Sequence, residues 1–159
     1  MRKVSLGLAL LALIAVFAVT ASVQAKGAQK TTGTFAQVPG HADYGITGTA
    51  KMIRNKGKTI VQVHLEGLDA GETYPTHVHN APCSSGGGGH YQDQVGGLAA
   101  PPNELWPSSG GNEAGITATA SGNGNGHGKA EWVARPEAQS IVVHLYSDTA
   151  VRVACAQLS

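Results

Sequence analysis

Seven of the 159 residues are histidine, and four of them stand where they could hold a transition metal. His77 and His79 flank a single valine in Thr76-His77-Val78-His79-Asn80. Side chains alternate along an extended strand, so both imidazoles point to the same face and can chelate one ion. That spacing alone is weak, because alternating histidines also occur as plain polar surface. His90 follows four consecutive glycines at 86–89, a run that lets the backbone take turns other residues resist. His144 closes the strongly β-forming run Ile141-Val142-Val143-His144. Four imidazoles drawn from separate parts of a chain make a nitrogen-only donor set. Such a set suits copper, zinc, iron or nickel, and tetragonal nitrogen ligation points to copper(II). Nearby, Val151-Arg152-Val153-Ala154-Cys155 carries an arginine three residues before a cysteine.

The elements that must position these residues read as β throughout. Strand-like composition with frequent alternation marks 33–38, 44–53, 58–66, 75–80, 116–120, 129–134, 140–146 and 151–158. Within 58–66, Val61, Val63 and Leu65 fall on one face and Gln62, His64 and Glu66 on the other. Asn55-Lys56-Gly57 between two such runs is a hairpin signal. About eight short strands separated by turn residues indicate an all-β sandwich or barrel. No stretch beyond residue 25 carries helical periodicity across three turns. Two regions break the pattern. The segment 80–115 is long and dense in Gly, Pro, Ser and Asn, and loops of that length in a compact domain are usually functional or disordered. The segment 121–128, SGNGNGHG, reads as a flexible hairpin connection. No helix follows its glycines, so a phosphate-binding reading fails on context.

Residues 1–25 stand apart as a secretory signal peptide. Arg2 and Lys3 precede an apolar run, and Val23-Gln24-Ala25 offers small residues at a cleavage site. The mature chain, 26–159, would then be one domain that is exported to a periplasmic or extracellular space, with no membrane contact after cleavage. Without Arg2 and Lys3 it has nine basic residues against ten acidic ones. That balance argues against nucleic acid or anionic lipid as a main partner. The chain holds two cysteines, Cys83 and Cys155, and an even count in an exported chain implies one disulfide.

Taken in order, HVH at 77–79, Cys83, GGHY at 88–91, VVH at 142–144 and RVAC at 152–155 resemble the copper/zinc superoxide dismutases. Leu65-Glu66-Gly67-Leu68 leading to His77-Val78-His79 is also similar to that family's third and fourth strands. The likeness runs from about residue 45 to Ser159. It implies an eight-stranded Greek-key β-sandwich with His77, His79 and His144 as copper ligands. His90 would be the histidine that bridges copper and zinc, Arg152 the active-site arginine, and Cys83–Cys155 the family's disulfide. The pattern departs from the family after His90. Residues 91–105 contain no histidine, and the only one before His144 is His127, in the Gly/Asn segment. The interval before His144 is also too short for the family's long charged loop. Zinc is therefore not expected, and the chain resembles the copper-only branch. In that branch a carboxylate stands in for zinc beside the former bridging histidine. Asn103-Glu104-Leu105 makes Glu104 the candidate, with Asp93 a weaker competitor.

On this reading superoxide is the small-molecule substrate. His90 would leave the metal on reduction, carry a proton and rebind. Arg152 would attract the anion with a permanent charge. The molecule would be a monomer or homodimer. His41, His64 and His127 read as surface residues, and Trp106 and Trp132 as packing residues. Two rivals share the sequence features. One is an exported copper buffer of the same fold without useful catalysis. The other is a structural sandwich that has lost its metal.

Overall fold

The computed structural model describes residues 27–110 and 114–159. The targeting segment read at 1–25, and the chain start expected at Lys26, lie outside the described residues. The strands are β1 (Gln29–Ala36), β2 (Thr47–Asn55), β3 (Lys58–Glu66), β4 (Thr73–Tyr74), β5 (Thr76–His79), β6 (Ile116–Thr117), β7 (Gly124–Ala130), β8 (Ser140–Leu145) and β9 (Asp148–Gln157). A single 3-10 turn, Cys83–Ser85, is the only helical element among the described residues. The fold is all-β. Seven strands form one curled antiparallel sheet in the order β5-β8-β9-β1-β2-β3-β7, an arrangement compatible with a sandwich or barrel. β4 and β6 pair separately.

Local sequence accounts for the best-defined part. β2 and β3 pair through nine residues from Thr47↔Glu66 to Asn55↔Lys58. The two linking residues both take positive φ, Lys56 at 43° and Gly57 at 82°. That is the backbone of a type I′ turn, whose twist matches the strands it joins. Alternation in β3 buries Val61, Val63 and Leu65 at 0%, 4% and 0% exposure. They join Met52, Ile116, Ile141 and Val143 in one core.

The segment 121–128 is not the flexible connection its composition suggests. Most of it is β7, paired with β3 from Leu65↔Gly124 to Thr59↔Ala130. Its burial alternates strictly, with Gly124, Gly126, Gly128 and Ala130 facing inward. The inward positions are glycine because Ile116 and Leu105 crowd that face. A Cβ on Gly126 would come 2.5 Å from Ile116 Cδ1, and one on Gly124 would come 2.6 Å from Ile116 Cγ2. The period of two is present, but its apolar side consists of hydrogen atoms.

Strand boundaries also shift. The stretch expected at 75–80 shortens to β5, with Pro75 separating it from the two-residue β4 just before, and that expected at 116–120 shortens to the two residues of β6. β8 is buried on both faces. Ile141 and Val143 point into the main core. Val142 points the other way, into a small cluster with Val38, Cys155 and Cys83. On this second face the chemistry-bearing side chains gather.

Candidate metal centre

β5 and β8 lie side by side with His77↔Val142 and His79↔Ser140 in register. Thr76 and Val78 alternate into the protein, so His77 and His79 stand on the opposite face together with Val142 and His144. The β8–β9 register shifts on both sides of His144, where it pairs with Arg152. Such irregularities re-aim a side chain within a ladder.

His90 comes from the long segment, which is pinned back over β5. His79 and His90 form an antiparallel bridge. The Asn80 N–H donates to Gly89 O at 3.0 Å, and the Tyr91 N–H donates to Val78 O at 2.8 Å. The glycine run supplies the reversal: Gly86, Gly87 and Gly88 have φ of 72°, 91° and 69°. A Cβ on Gly87 would meet Val142 Cγ2 at 2.6 Å.

Together, one ring nitrogen from each of His77, His79, His90 and His144 lies within 4.8 Å of the other three. Opposite ligands on a metal–nitrogen bond of about 2.1 Å stand about 4.2 Å apart, so modest contraction would seat an ion. The four rings are the cluster anticipated from sequence. His41, His64 and His127 take no part in it.

The hydrogen bonds state which nitrogen each ring offers. The Nδ1–H groups of His79 and His144 donate to Gly88 O at 3.2 Å and Thr149 O at 2.7 Å. His90 Nδ1 faces Glu104 Oε2 at 2.7 Å. A carbonyl can only accept, and an ionised carboxylate likewise. All three rings therefore carry a proton on Nδ1, and in the neutral ring it is Nε2 that is free to bind. For His79 and His144 these atoms face each other at 3.3 Å. Two lone pairs at that separation repel each other unless they share a cation. His77 differs. Its Nδ1 is the one buried side-chain nitrogen or oxygen without a hydrogen-bond partner among the described residues. Three Nε2 atoms and a nitrogen of the His77 ring make a donor set that fits a transition metal bound by imidazole.

Protons do not fill that role. Burial lowers His77 to about 2, His79 to about 3 and His144 to about 4, and the neighbouring rings push in the same direction for all three. These three are held neutral in the folded state but titrate near 6.5 when unfolded. Their stability contribution is full above about pH 6.5 and is lost as pH falls toward the folded values. The metal-free protein should therefore lose up to about 1.4 kcal/mol per pH unit for each such ring below pH 6.5. Urea unfolding at pH 7, 6 and 5 measures this, above the range where carboxylates titrate. His64 has the opposite sign, because Asn125 and then Glu66 raise it, but that ring is largely exposed and adds little. An unfolding midpoint that stays flat from pH 7 to 5 would mean that the rings are not desolvated as described.

Glu104 sits behind His90. It is 3% exposed and accepts three hydrogen bonds. Oε2 takes those from His90 Nδ1 and from Trp106 Nε1 at 2.9 Å, and Oε1 takes one from Gln92 Nε2 at 3.0 Å. Burial pushes this carboxyl up, but the bonds from Gln92, Trp106 and His90 outweigh it and hold the group below its ordinary value. Asp93 has no such place; its carboxylate lies 3.5 Å from Arg135.

Arg152, in β9, donates from Nη1 to Gly86 O and from Nη2 to Gly88 O at 2.6 Å. It sits close enough to lower both His79 and His144. Cys83 and Cys155 are bonded, tying the loop that carries those carbonyls to β9.

The composition gives no hint of two participants. Trp106 is at the centre: its ring lies 4.8 Å from that of His77 and 6.2 Å, edge-on, from that of His90. The packing role expected of it is therefore incomplete. Alternation in Glu104-Leu105-Trp106 is the available signal, since it places the carboxylate and the indole on one side. Gln92 stands two residues from His90 by the same logic. Comparisons with protein-family models and with curated proteins found no match.

Proposed function

We propose that the chain is an exported superoxide dismutase with a single copper ion on His77, His79, His90 and His144 and no zinc. One observation carries the reading: four converging imidazoles, with the Glu104 carboxylate rather than another imidazole hydrogen-bonded to His90 Nδ1. In a site with zinc that nitrogen would face the second metal; here it donates a hydrogen bond to a buried carboxylate. The order of motifs, the disulfide and the curled antiparallel sheet support membership of the copper-only branch of the copper/zinc superoxide dismutases, with that family's Greek-key sandwich.

Bound copper would supply the one-electron couple that oxidises one superoxide to oxygen and reduces the next to hydrogen peroxide. The protein's own residues do the rest. His90 has the most exposed of the four rings: its side chain is 31% exposed, whereas His77, His79 and His144 are buried. It is the ring suited to hold and release a proton at Nε2, while Glu104 fixes its orientation through Nδ1. Two of the five N–H groups of Arg152 are taken by Gly86 and Gly88, and no acceptor among the described residues bonds the other three. Those three donors can draw in and orient a small anion.

The test is to load the purified protein with copper, remove the excess, and follow superoxide consumption before and after a chelator strips the metal. Activity that rises with copper, at a zinc content near zero, is the expected result. Arg152→Ala should then slow the reaction about tenfold or more at low ionic strength and less at high salt, because long-range attraction is screened. Copper uptake without superoxide consumption would favour the buffer reading. Failure to take up copper would favour a structural sandwich. A zinc-to-copper ratio near one would refute the copper-only assignment.

A further inference from the structure

Trp106 occupies a position that packing alone does not require. Its indole lies 4.8 Å from His77 and 6.2 Å from His90, measured between ring centroids. Its Nε1–H donates to Glu104 Oε2, 2.9 Å away. The indole also lines a surface cavity of about 380 Å³ together with Glu104, Ser108 and His127. An indole gives up an electron more readily than an imidazole does. Loss of that electron makes the indole N–H strongly acidic, so a carboxylate hydrogen-bonded to it makes the loss easier. Both parts, a short path to the metal ligands and a proton acceptor, are built around this one ring.

We propose that Trp106 is a sacrificial one-electron reductant that spares the histidine ligands when hydrogen peroxide meets the reduced centre. The inference rests on the copper reading above. The oxidant is hydrogen peroxide, the product of the proposed reaction. One copper(I), one hydrogen peroxide, one proton from solvent and the indole N–H hydrogen become copper(II), a neutral indolyl radical and two waters. The electron leaves Trp106 toward the ligand rings, and the proton leaves along the hydrogen bond to Glu104. Trp132 provides an internal control. It is similarly half-buried, but its Nε1–H donates to Pro102 O at 2.8 Å, and its aromatic neighbour is Tyr91 rather than a metal-binding histidine.

The experiment uses the copper(I)-loaded protein without oxygen, its copper content measured first, and adds hydrogen peroxide in small stoichiometric steps. The radical then takes oxygen from water, giving one electron back to copper(II) and releasing a proton, so that peptide mass spectrometry locates hydroxytryptophan; rapid freezing with electron paramagnetic resonance looks for the radical itself. The expected result is oxidation at Trp106 at least about fivefold above Trp132, with a radical signal that Trp106→Phe removes. In Trp106→Phe, which keeps an aromatic ring in place, oxidation should move to His77 and His90 and copper should be lost after fewer additions of peroxide. Equal oxidation of the two tryptophans, or ligand oxidation unchanged in Trp106→Phe, would overturn the proposal. A protein that takes up no copper fails at the first measurement, which overturns the copper reading itself. In a protein that binds copper without dismutase activity, the ratio of oxidation at Trp106 to that at Trp132 still decides the role of Trp106.

Discussion

Replacing His77 by leucine should make the metal-free protein more stable and the copper-treated protein less stable than the parent. The opposite signs follow from one side chain. His77 Nδ1 is buried without a partner, and an unsatisfied buried polar group costs about 1–3 kcal/mol. Leucine has a similar volume and no polar atom, so the apo protein should gain on the order of 1 kcal/mol at pH 7. Its loss of stability below pH 6.5 should also be shallower, with one desolvated imidazole fewer. Copper reverses the ranking. Removing a residue that only supports a ligand already costs 10–100-fold in metal affinity, so removing a ligand should cost more than about a hundredfold. At a fixed free copper concentration that is a lost stabilisation of about 2.7 kcal/mol. Thermal unfolding of parent and His77→Leu, each with and without copper, gives all four numbers in one experiment. A variant less stable than its parent without metal would show that His77 is an ordinary packed core residue. A variant stabilised by copper as strongly as the parent would remove His77 from the donor set.

The same orphaned nitrogen shows what can be read from the sequence and what cannot. Alternation in Thr76-His77-Val78-His79 places two imidazoles on one face because a strand's period is fixed by local sterics. The turn at Lys56-Gly57 and the buried face of Val61, Val63 and Leu65 are local in the same sense. That the rings of His90 and His144 converge on this face depends on pairings across the sheet and on a loop folded back over β5. Ordered motifs suggest that convergence through family resemblance; strand chemistry by itself does not. Two further features are tertiary and are not legible from composition. β7 looks like a linker because its inward side chains are absent, and only the position of Ile116 explains why. The tautomers are set by Gly88 and Thr149, which act through backbone carbonyls and therefore leave no trace in residue type. Glu104 lies within reach of sequence reasoning because a carboxylate is a chemically distinctive partner for a ligating histidine. Trp106 reads as a packing residue because an indole has no such distinctive role, although its alternation with Glu104 is visible.

Breaking the Cys83–Cys155 link should be the most damaging covalent change available, and its effect should divide into two measurable parts. The cysteines are 72 residues apart in sequence. Closing a loop of that length restricts the unfolded chain by about 4 kcal/mol in the chain-entropy description, so Cys155→Ala, Cys83→Ala and the reduced parent should all lose stability of that order. The second part is local. The link holds the 3-10 turn against β9, where the Cys83 N–H also donates to Gln157 Oε1 at 2.9 Å. That turn leads directly into Gly86 and Gly88, whose carbonyls hold the Arg152 guanidinium, and Gly88 O also fixes the tautomer of His79. Releasing the loop therefore frees Arg152 and His79, the proposed anion-attracting group and one proposed ligand, at the same time. Below its melting temperature, the reduced protein should keep β-sheet circular dichroism while losing most of its copper-dependent activity. It should also lose the salt dependence expected from Arg152. Denaturant unfolding reads the first part, and activity at two ionic strengths in the still-folded protein reads the second. A reduced protein within about 1 kcal/mol of the oxidised one would refute the entropic account. One that is weakened but fully active and still salt-sensitive would show that the sheet alone positions Arg152, because β9 pairs it with His144 whether or not the loop is tied down.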